Sequence, residues 1–172
     1  MAMSPKTIFK YFEELINTAR VQALLYSDEV DEFPPKRKRG FKFAPSIGVV
    51  TSSGYNAGGM SYGLHYCEIS SWALSDGEVA RGILRHELAH CIHDYLGWGG
   101  NPHGKEFNYI LKVVSPKKAK KDKHFALTPN IIKARKMVHP KKGQTKNVWA
   151  NRTGRYTYGV GYSERGKLGM NK

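Results

Sequence analysis

Two histidines and a glutamate within one five-residue segment are the residues of this chain best suited to metal chemistry. The segment reads His86-Glu87-Leu88-Ala89-His90. Residues four apart on a helix share a face, so His86 and His90 can direct imidazole nitrogens at one metal ion. Glu87 would then lie beside that ion, where a carboxylate can take a proton from metal-bound water without being a ligand. The spacing therefore predicts a metal site suited to hydrolysis.

The flanking residues predict the helix that this spacing requires. Ser75-Asp76-Gly77-Glu78 has the Ser-x-x-Glu form of a capping box, so we expect the helix to begin there and to end at Gly97. Between these limits, apolar residues recur at spacings of three and four: Val79, Ile83, Leu84, Leu88, Cys91, Ile92 and Tyr95. The alternative interpretation is an exposed, histidine-rich stripe that binds no metal.

A hydrolytic zinc site needs three protein ligands and one open position for water. His93 lies two turns from His86, about 10 Å along the helix axis, whereas zinc holds nitrogen ligands only about 2.1 Å away. We therefore expect His93 to be a packed or supporting residue, or exposed. His103 follows residues 97–102, whose three glycines and one proline let the chain turn back over the helix. Because an amphipathic helix is predicted directly after it, His103 is the expected third ligand.

At these positions the chain resembles the SprT-like (Spartan-type) zinc metalloproteases. The likeness rests on His86-Glu87-Leu88-Ala89-His90 and His103-Gly104-Lys105-Glu106-Phe107, and more weakly on Gly58-Gly59-Met60 and Tyr66-Cys67-Glu68-Ile69-Ser70, within about residues 5–126. The resemblance implies one catalytic Zn²⁺ bound by His86, His90 and His103, with Glu87 as the catalytic base. It also implies a substrate protein bound or crosslinked to DNA. The chain departs from many relatives in having no cysteine after Cys91, so we expect no second, structural zinc.

The elements around the site predict an α+β fold with a zincin-like metalloprotease core over residues 1–126. Ser4-Pro5 and the apolar stripe after it predict an N-terminal helix. Apolar alternation between residues 41 and 69, on either side of a loop at 53–59, predicts a small mixed sheet. We expect an extended substrate to add to the free edge of this sheet at Tyr62 to Ile69.

Positive charge is concentrated in the last third of the chain. Residues 1–112 contain 12 Lys/Arg and 12 Asp/Glu, whereas residues 113–172 contain 16 and 2, so the formal net charge of +14 lies in that last third. Such a surface attracts a polyanion, and together with the resemblance it makes nucleic acid, DNA above all, the expected partner. The predicted contacts are Lys117, Lys118, Lys120, Lys121, Lys123, Lys133, Arg135, Lys136, Lys141, Lys142, Arg152 and Arg155. RNA, another polyanion, or a lysine surface that only confers solubility are the alternatives.

Residues 127–172 are predicted to form a basic C-terminal extension. Thr128-Pro129 predicts the start of a short helix ended by Pro140, and residues 148–162 predict a hairpin turning near 151–154. Aromatic residues alternate with arginines in this hairpin. Their rings could stack on unpaired bases, but packing on the core suits them at least as well.

Together these features predict zinc-dependent hydrolysis of peptide bonds, and the resemblance implies an endopeptidase that acts on proteins bound or crosslinked to DNA. Two other classes remain open: a nucleic-acid-binding or structural protein on an inactive fold of the same type, and a zinc hydrolase with a non-protein substrate. Two cysteines make no disulfide framework, no apolar run reaches the roughly 18 residues of a membrane span, and the start does not read as a signal peptide. We therefore expect a cytoplasmic protein with no membrane partner, nucleoid association being one option and the host cytoplasm the location if the chain is viral.

Overall fold

The structure, a computed structural model, describes residues 1–27, 42–50, 58–122 and 128–138 and the backbone of 156–159. Within these residues the chain forms six α-helices, one short 3-10 helix and a four-stranded mixed sheet. The predicted α+β class is therefore confirmed. Among the described helices, none has the length and apolar character needed to cross a lipid bilayer.

The predicted N-terminal helix is present as two consecutive helices, α1 (Pro5–Ile16) and α2 (Ala19–Tyr26). Ser4 caps α1, since its Oγ accepts a hydrogen bond from the Thr7 amide at 3.1 Å. The apolar faces of both helices lie in the core, where Ile8, Phe12, Val21 and Leu25 are fully buried. These helices cover one side of the layer that carries the metal-binding residues.

The sheet has the strand order β2-β3-β1-β4. Its strands are β1 (Ser46–Val50), β2 (Gly59–Tyr62), β3 (Tyr66–Ser70) and β4 (Tyr156–Gly159). β1 runs parallel to β3, whereas β2 pairs antiparallel with β3 and β4 pairs antiparallel with β1. The sheet is therefore mixed, as predicted, and strand β4 of the C-terminal extension is one of its members.

The predicted docking strand from Tyr62 to Ile69 is wrong as a single element. Gly63 adopts a left-handed φ of 65° and turns the chain after Tyr62, which ends β2. Ile69 belongs to β3, which is paired with a strand on both sides and has no free edge. Among the described strands, β2 (Gly59–Tyr62) is the one that lies at the edge of the sheet beside β3.

The predicted metal-binding helix is α3 (Gly77–Leu96). Its cap is Asp76 rather than Ser75, because Asp76 Oδ1 accepts hydrogen bonds from the amides of Glu78 and Val79 at 3.1 and 3.3 Å. Ser75 instead ends a 3-10 helix, Ser71–Ser75. The predicted end is confirmed, since Gly97 has a left-handed φ of 67°. Helix α3 is buried on most sides because helices and the sheet enclose it.

The described residues after α3 form three further helices: α4 (Lys105–Val114), α5 (Ala119–Asp122) and α6 (Pro129–Val138). Helix α4 is the predicted amphipathic helix after His103, and its apolar face is buried against α3. Helix α6 lies at the start of the predicted extension, yet its Ile131 is fully buried in the same core cluster as α3. The core therefore includes residues on both sides of position 126.

Candidate metal centre

The imidazole rings of His86, His90 and His103 converge on one point. Their three Nε2 atoms lie 3.1 Å apart in every pairing. Nitrogen ligands about 2.1 Å from a tetrahedral zinc ion would be separated by roughly 3.4 Å, so the spacing fits a single ion of this size. The three histidines that the sequence predicted are thus close enough to bind one metal ion.

The loop between α3 and α4 brings His103 to the two helical histidines. Gly97 closes α3, and the Asn101 side chain accepts a hydrogen bond from the His103 amide at 3.0 Å. Asn108 of α4 donates to the main-chain oxygen of His103 at 3.2 Å. These contacts fix the backbone of His103, although its side chain is exposed.

Phe107 provides the common floor of the three imidazoles. Its ring centroid lies 4.4 Å from that of His90, 4.9 Å from that of His103 and 5.0 Å from that of His86. Phe107 is fully buried, so these contacts restrict the orientations of all three rings. This role can be read from the sequence only through the His-Gly-x-x-Phe pattern, in which Phe107 follows His103 by four residues.

The surroundings of His90 favour its neutral form. Burial first, and then the neighbouring His86, His103 and His93, lower the pKa of His90 to about 3. A neutral imidazole has a free lone pair, which is the form that binds a metal. The cluster is therefore ready to bind a cation at neutral pH without first losing a proton from His90.

Glu87 lies at the wall of the same cleft and is only 8% exposed. Burial is the main cause that raises the pKa of its carboxyl to about 8, and the nearby Glu68 raises it further, while a hydrogen bond from the backbone of Ser61 opposes both. The side chain also packs on the edge strand, since a Cβ at Gly59 would lie 2.9 Å from Glu87 Cγ. The carboxyl group is thus held in an apolar environment that favours proton exchange near neutral pH.

His93 is buried and is not one of the three histidines that converge (His86, His90 and His103, here called the metal cluster), as the helical geometry predicted. It is 5% exposed, and its Nε2 atom has no hydrogen-bond partner within the described part of the chain. His93 nevertheless lines the cleft beside His90. Its place in the structure is that of a packed residue next to the ligands.

A cleft of about 430 Å³ opens over the metal cluster. One side is formed by Met60 and Ser61 of the edge strand β2, and the other by the loop from Trp98 to His103. Glu87 and His90 lie between them. The cleft therefore joins the edge strand to Glu87 and to two of the three clustered histidines, His90 and His103.

Two features of the site were not predicted from the sequence. The Ser61 backbone contact with Glu87 depends on β2 being the edge strand. The main-chain oxygen of Asp122 accepts a hydrogen bond from Nδ1 of His86 at 3.1 Å. The only sequence signal for Asp122 is that it is one of two acidic residues in the last third of the chain.

The structure describes seven of the twelve predicted nucleic-acid contacts. Lys117, Lys118, Lys120, Lys121, Lys133 and Lys136 are exposed. Arg135 is half-buried, with its guanidinium carbon 5.4 Å from the centroid of the Trp72 ring. Lys118 forms an ion pair with Glu78, so its charge is partly neutralised. The remaining five lie outside the described residues: Lys123, Lys141, Lys142, Arg152 and Arg155.

Comparison of the chain with protein-family models, with curated proteins and with solved structures found no significant match. The function is therefore argued from the site.

In the metal-free protein, Glu87→Gln is expected to raise thermal stability at alkaline pH. Because burial raises the pKa of Glu87 from 4.5 to about 8, the folded state binds more protons than the unfolded state between these values. The free energy of unfolding of the wild type should therefore fall as the pH rises through this window. Glutamine does not ionise, so this fall should be absent from the variant. Between pH 4 and pH 9 the free energy of unfolding of the variant should therefore rise, relative to that of the wild type, by up to roughly 4 kcal/mol.

The measurement is thermal unfolding of both EDTA-treated proteins at pH 4, 6, 8 and 9. Glu78→Gln is the control, because Glu78 is exposed on the same helix and Lys118 and Arg81 lower the pKa of its carboxyl. A difference in melting temperature between Glu87→Gln and the wild type that is the same at every pH would contradict a raised pKa.

Proposed function

We propose that the protein is a zinc-dependent endopeptidase of the SprT-like type, with a zincin-like core, that acts on proteins bound or crosslinked to DNA. The observation that carries this proposal is the meeting of three imidazole Nε2 atoms beside the buried carboxyl of Glu87 in one cleft. This set of groups matches the requirements of metal-assisted hydrolysis.

Zinc suits the ligands better than the hard cations do. Three neutral imidazoles are typical of zinc and of other transition metals, whereas magnesium and calcium prefer oxygen ligands. Only three of the four positions of a tetrahedral ion would be filled by His86, His90 and His103, which leaves one open as catalysis requires. When bound there, zinc would polarise the scissile carbonyl group and lower the pKa of a water molecule.

Glu87 is the general base in this proposal. Its carboxyl group takes a proton from the attacking water and later gives it to the amine that leaves. Burial raises the pKa of this carboxyl group in the metal-free protein, and a zinc ion beside it would lower that pKa and favour the ionised form that accepts a proton. The Ser61 backbone contact holds the carboxyl group on the side of the cleft where the substrate would lie.

The edge strand β2 is the proposed binding site for the substrate backbone. An extended peptide can pair with a free strand edge through main-chain hydrogen bonds, with little demand on its sequence. Met60 and Ser61 lie in β2 and line the cleft with Glu87, so a peptide paired there would present one of its bonds to the catalytic groups. Such binding suits an enzyme that must cleave many different proteins.

DNA is proposed to bind along the exposed lysines of α5 and its neighbours. Lys117, Lys120 and Lys121 are exposed, and Lys121 directly precedes Asp122, whose main-chain oxygen contacts His86. A polyanion bound at these lysines would therefore lie along α5, the helix whose last residue contacts His86. This position is what an enzyme for DNA-bound proteins needs, since its substrate and the DNA arrive together.

The same lysines favour a second candidate, a nucleic-acid-binding or structural protein on a catalytically inactive fold of this type. The exposed lysines of α5 and its neighbours support DNA binding whether or not peptide bonds are cleaved. The metal cluster is equally compatible with hydrolysis of a non-protein substrate, because a metal and a base do not define the bond attacked.

One experiment separates these candidates. The full-length, zinc-loaded protein is incubated with a DNA-binding protein, with and without DNA, and fragments are followed with and without EDTA, including fragments of the enzyme itself. EDTA-sensitive cleavage that increases with DNA would support the proposal. DNA binding without cleavage under any condition would favour the catalytically inactive fold. The absence of both cleavage and DNA binding would favour a hydrolase with a non-protein substrate.

A further inference from the structure

A buried ion pair lies directly behind the metal-binding face of α3. Arg85 donates two hydrogen bonds to the Asp122 carboxylate, from Nε at 2.6 Å and from Nη2 at 2.9 Å. The two side chains are only 7% and 3% exposed. Ser115 Oγ donates to the same carboxylate at 2.5 Å, so Asp122 is held by two residues from different parts of the fold.

This arrangement is fully satisfied, as a buried ion pair must be to be tolerated. Burial alone would lower the pKa of Arg85, but the hydrogen bonds to Asp122 and Tyr11 outweigh it and raise the pKa. Gly82 gives the carboxylate its room, because a Cβ at that position would lie 2.9 Å from Asp122 Oδ1. The pair therefore ties α5 closely to the surface of α3.

The ion pair also places the backbone of Asp122 against His86, one of the three clustered histidines. The main-chain oxygen of Asp122 lies 3.1 Å from Nδ1 of His86. A carbonyl oxygen can only accept a hydrogen bond, so Nδ1 must carry the proton, which leaves the lone pair on Nε2. This is the nitrogen that points toward His90 and His103.

Helix α5 cannot hold this oxygen in place by itself. It has only four residues, Ala119–Asp122, and an isolated helix of that length is unstable in water. The three residues before Asp122 in this helix are Ala119, Lys120 and Lys121, and both lysines are exposed. In the described fold α5 is therefore anchored by the buried Asp122 side chain, together with the packing of Ala119 against the core.

We propose that Arg85 and Asp122 are positioning residues for the metal ligand His86: their buried ion pair holds the Asp122 main-chain oxygen against Nδ1 of His86 and so fixes the tautomer and orientation in which Nε2 meets the metal. The inference rests on the metal site of the proposed function but not on its protease activity. Mutation of a group that hydrogen-bonds to a metal-binding histidine typically lowers metal affinity by about 10–100-fold.

The test measures metal affinity in the absence of any substrate. Cobalt(II) or zinc binding is determined by competition with a chelator for the wild type and for Asp122→Ala, which keeps the main-chain oxygen but loses the anchor. The dissociation constant is expected to rise about 10–100-fold. A folded Asp122→Ala protein that binds cobalt(II) as tightly as the wild type would overturn the proposal.

Two control variants separate positioning from general damage. Lys120→Ala changes an exposed residue of the same short helix, and Leu25→Ala creates a comparable loss of stability in the core away from the cluster. Both are expected to keep the dissociation constant within about twofold of the wild type, because neither touches the ion pair. An equal loss of affinity in Leu25→Ala would show that destabilisation alone explains the effect.

A second measurement does not depend on Asp122→Ala folding. In nitrogen-15 NMR spectra of the wild type, the His86 ring should be protonated at Nδ1, and this proton should exchange slowly with water because it is hydrogen-bonded. Ser115→Ala, a milder change, should accelerate that exchange. A proton on Nε2 of His86 in the metal-free protein, or fast exchange at Nδ1, would overturn the inference. Tight metal binding without proteolysis would instead be consistent with the inference and would contradict the proposed protease activity.

Discussion

Glu87→Gln is expected to lower the rate of peptide-bond hydrolysis by about 10²–10⁴-fold while metal affinity stays within a few-fold of the wild type, because proton transfer by a positioned general base contributes that much to catalysis. Glutamine has the same shape and can still accept the hydrogen bond from the Ser61 backbone, so the cleft should keep its form. It cannot take a proton from water. The effect should therefore appear in kcat rather than in substrate binding.

The measurement compares fragment formation from a DNA-bound substrate protein with zinc content in the same preparations. Glu78→Gln is the matched control, since it makes the same chemical change on an exposed residue of the same helix. It should cleave at the wild-type rate. Normal cleavage by Glu87→Gln would exclude Glu87 as the base, and loss of metal in that variant would make it part of the metal cluster instead.

The metal cluster could be predicted because the interactions that form it are mostly local. His86 and His90 are brought together by one turn of helix, which follows from the spacing alone. Gly97 ends that helix with a left-handed φ, so the chain turns before His103 and α4 begins directly after it. Short-range backbone preferences thus determine most of the cluster geometry.

The edge strand could not be assigned in the same way. Apolar residues at alternating positions predict strands but do not say which strands are neighbours. In the chain β2 lies between β1 and β3, but in the sheet β1 pairs directly with β3. This crossover leaves β2 at the edge of the sheet. The predicted docking segment spans the end of β2 and the interior strand β3, because the apolar pattern alone does not mark Gly63 as a turn residue.

The support behind His86 is also a product of tertiary structure. Arg85 and Asp122 are 37 residues apart, and each looks like an ordinary surface charge in the sequence. Asp122 lies within a lysine-rich segment, where an acidic side chain suggests local charge balance rather than a buried partner. Only the packing of α5 on α3 makes the pair visible.

His103→Ala is expected to weaken metal binding by more than about 100-fold, since loss of a group that merely supports a ligand already costs about 10–100-fold. The His103 side chain is exposed, so its removal should leave the melting temperature of the metal-free protein almost unchanged. Metal added in excess should raise the melting temperature of the wild type but not that of the variant.

His93→Ala is the informative comparison, because His93 is the other histidine that the sequence offered as a third ligand. It is buried and lies outside the cluster, so its removal should lower the stability of the fold and leave metal affinity close to that of the wild type. The two variants thus have opposite expected results in the same pair of measurements. Full metal affinity in His103→Ala would remove His103 from the site, and without a third imidazole the remaining pair on α3 would not support the proposed hydrolase.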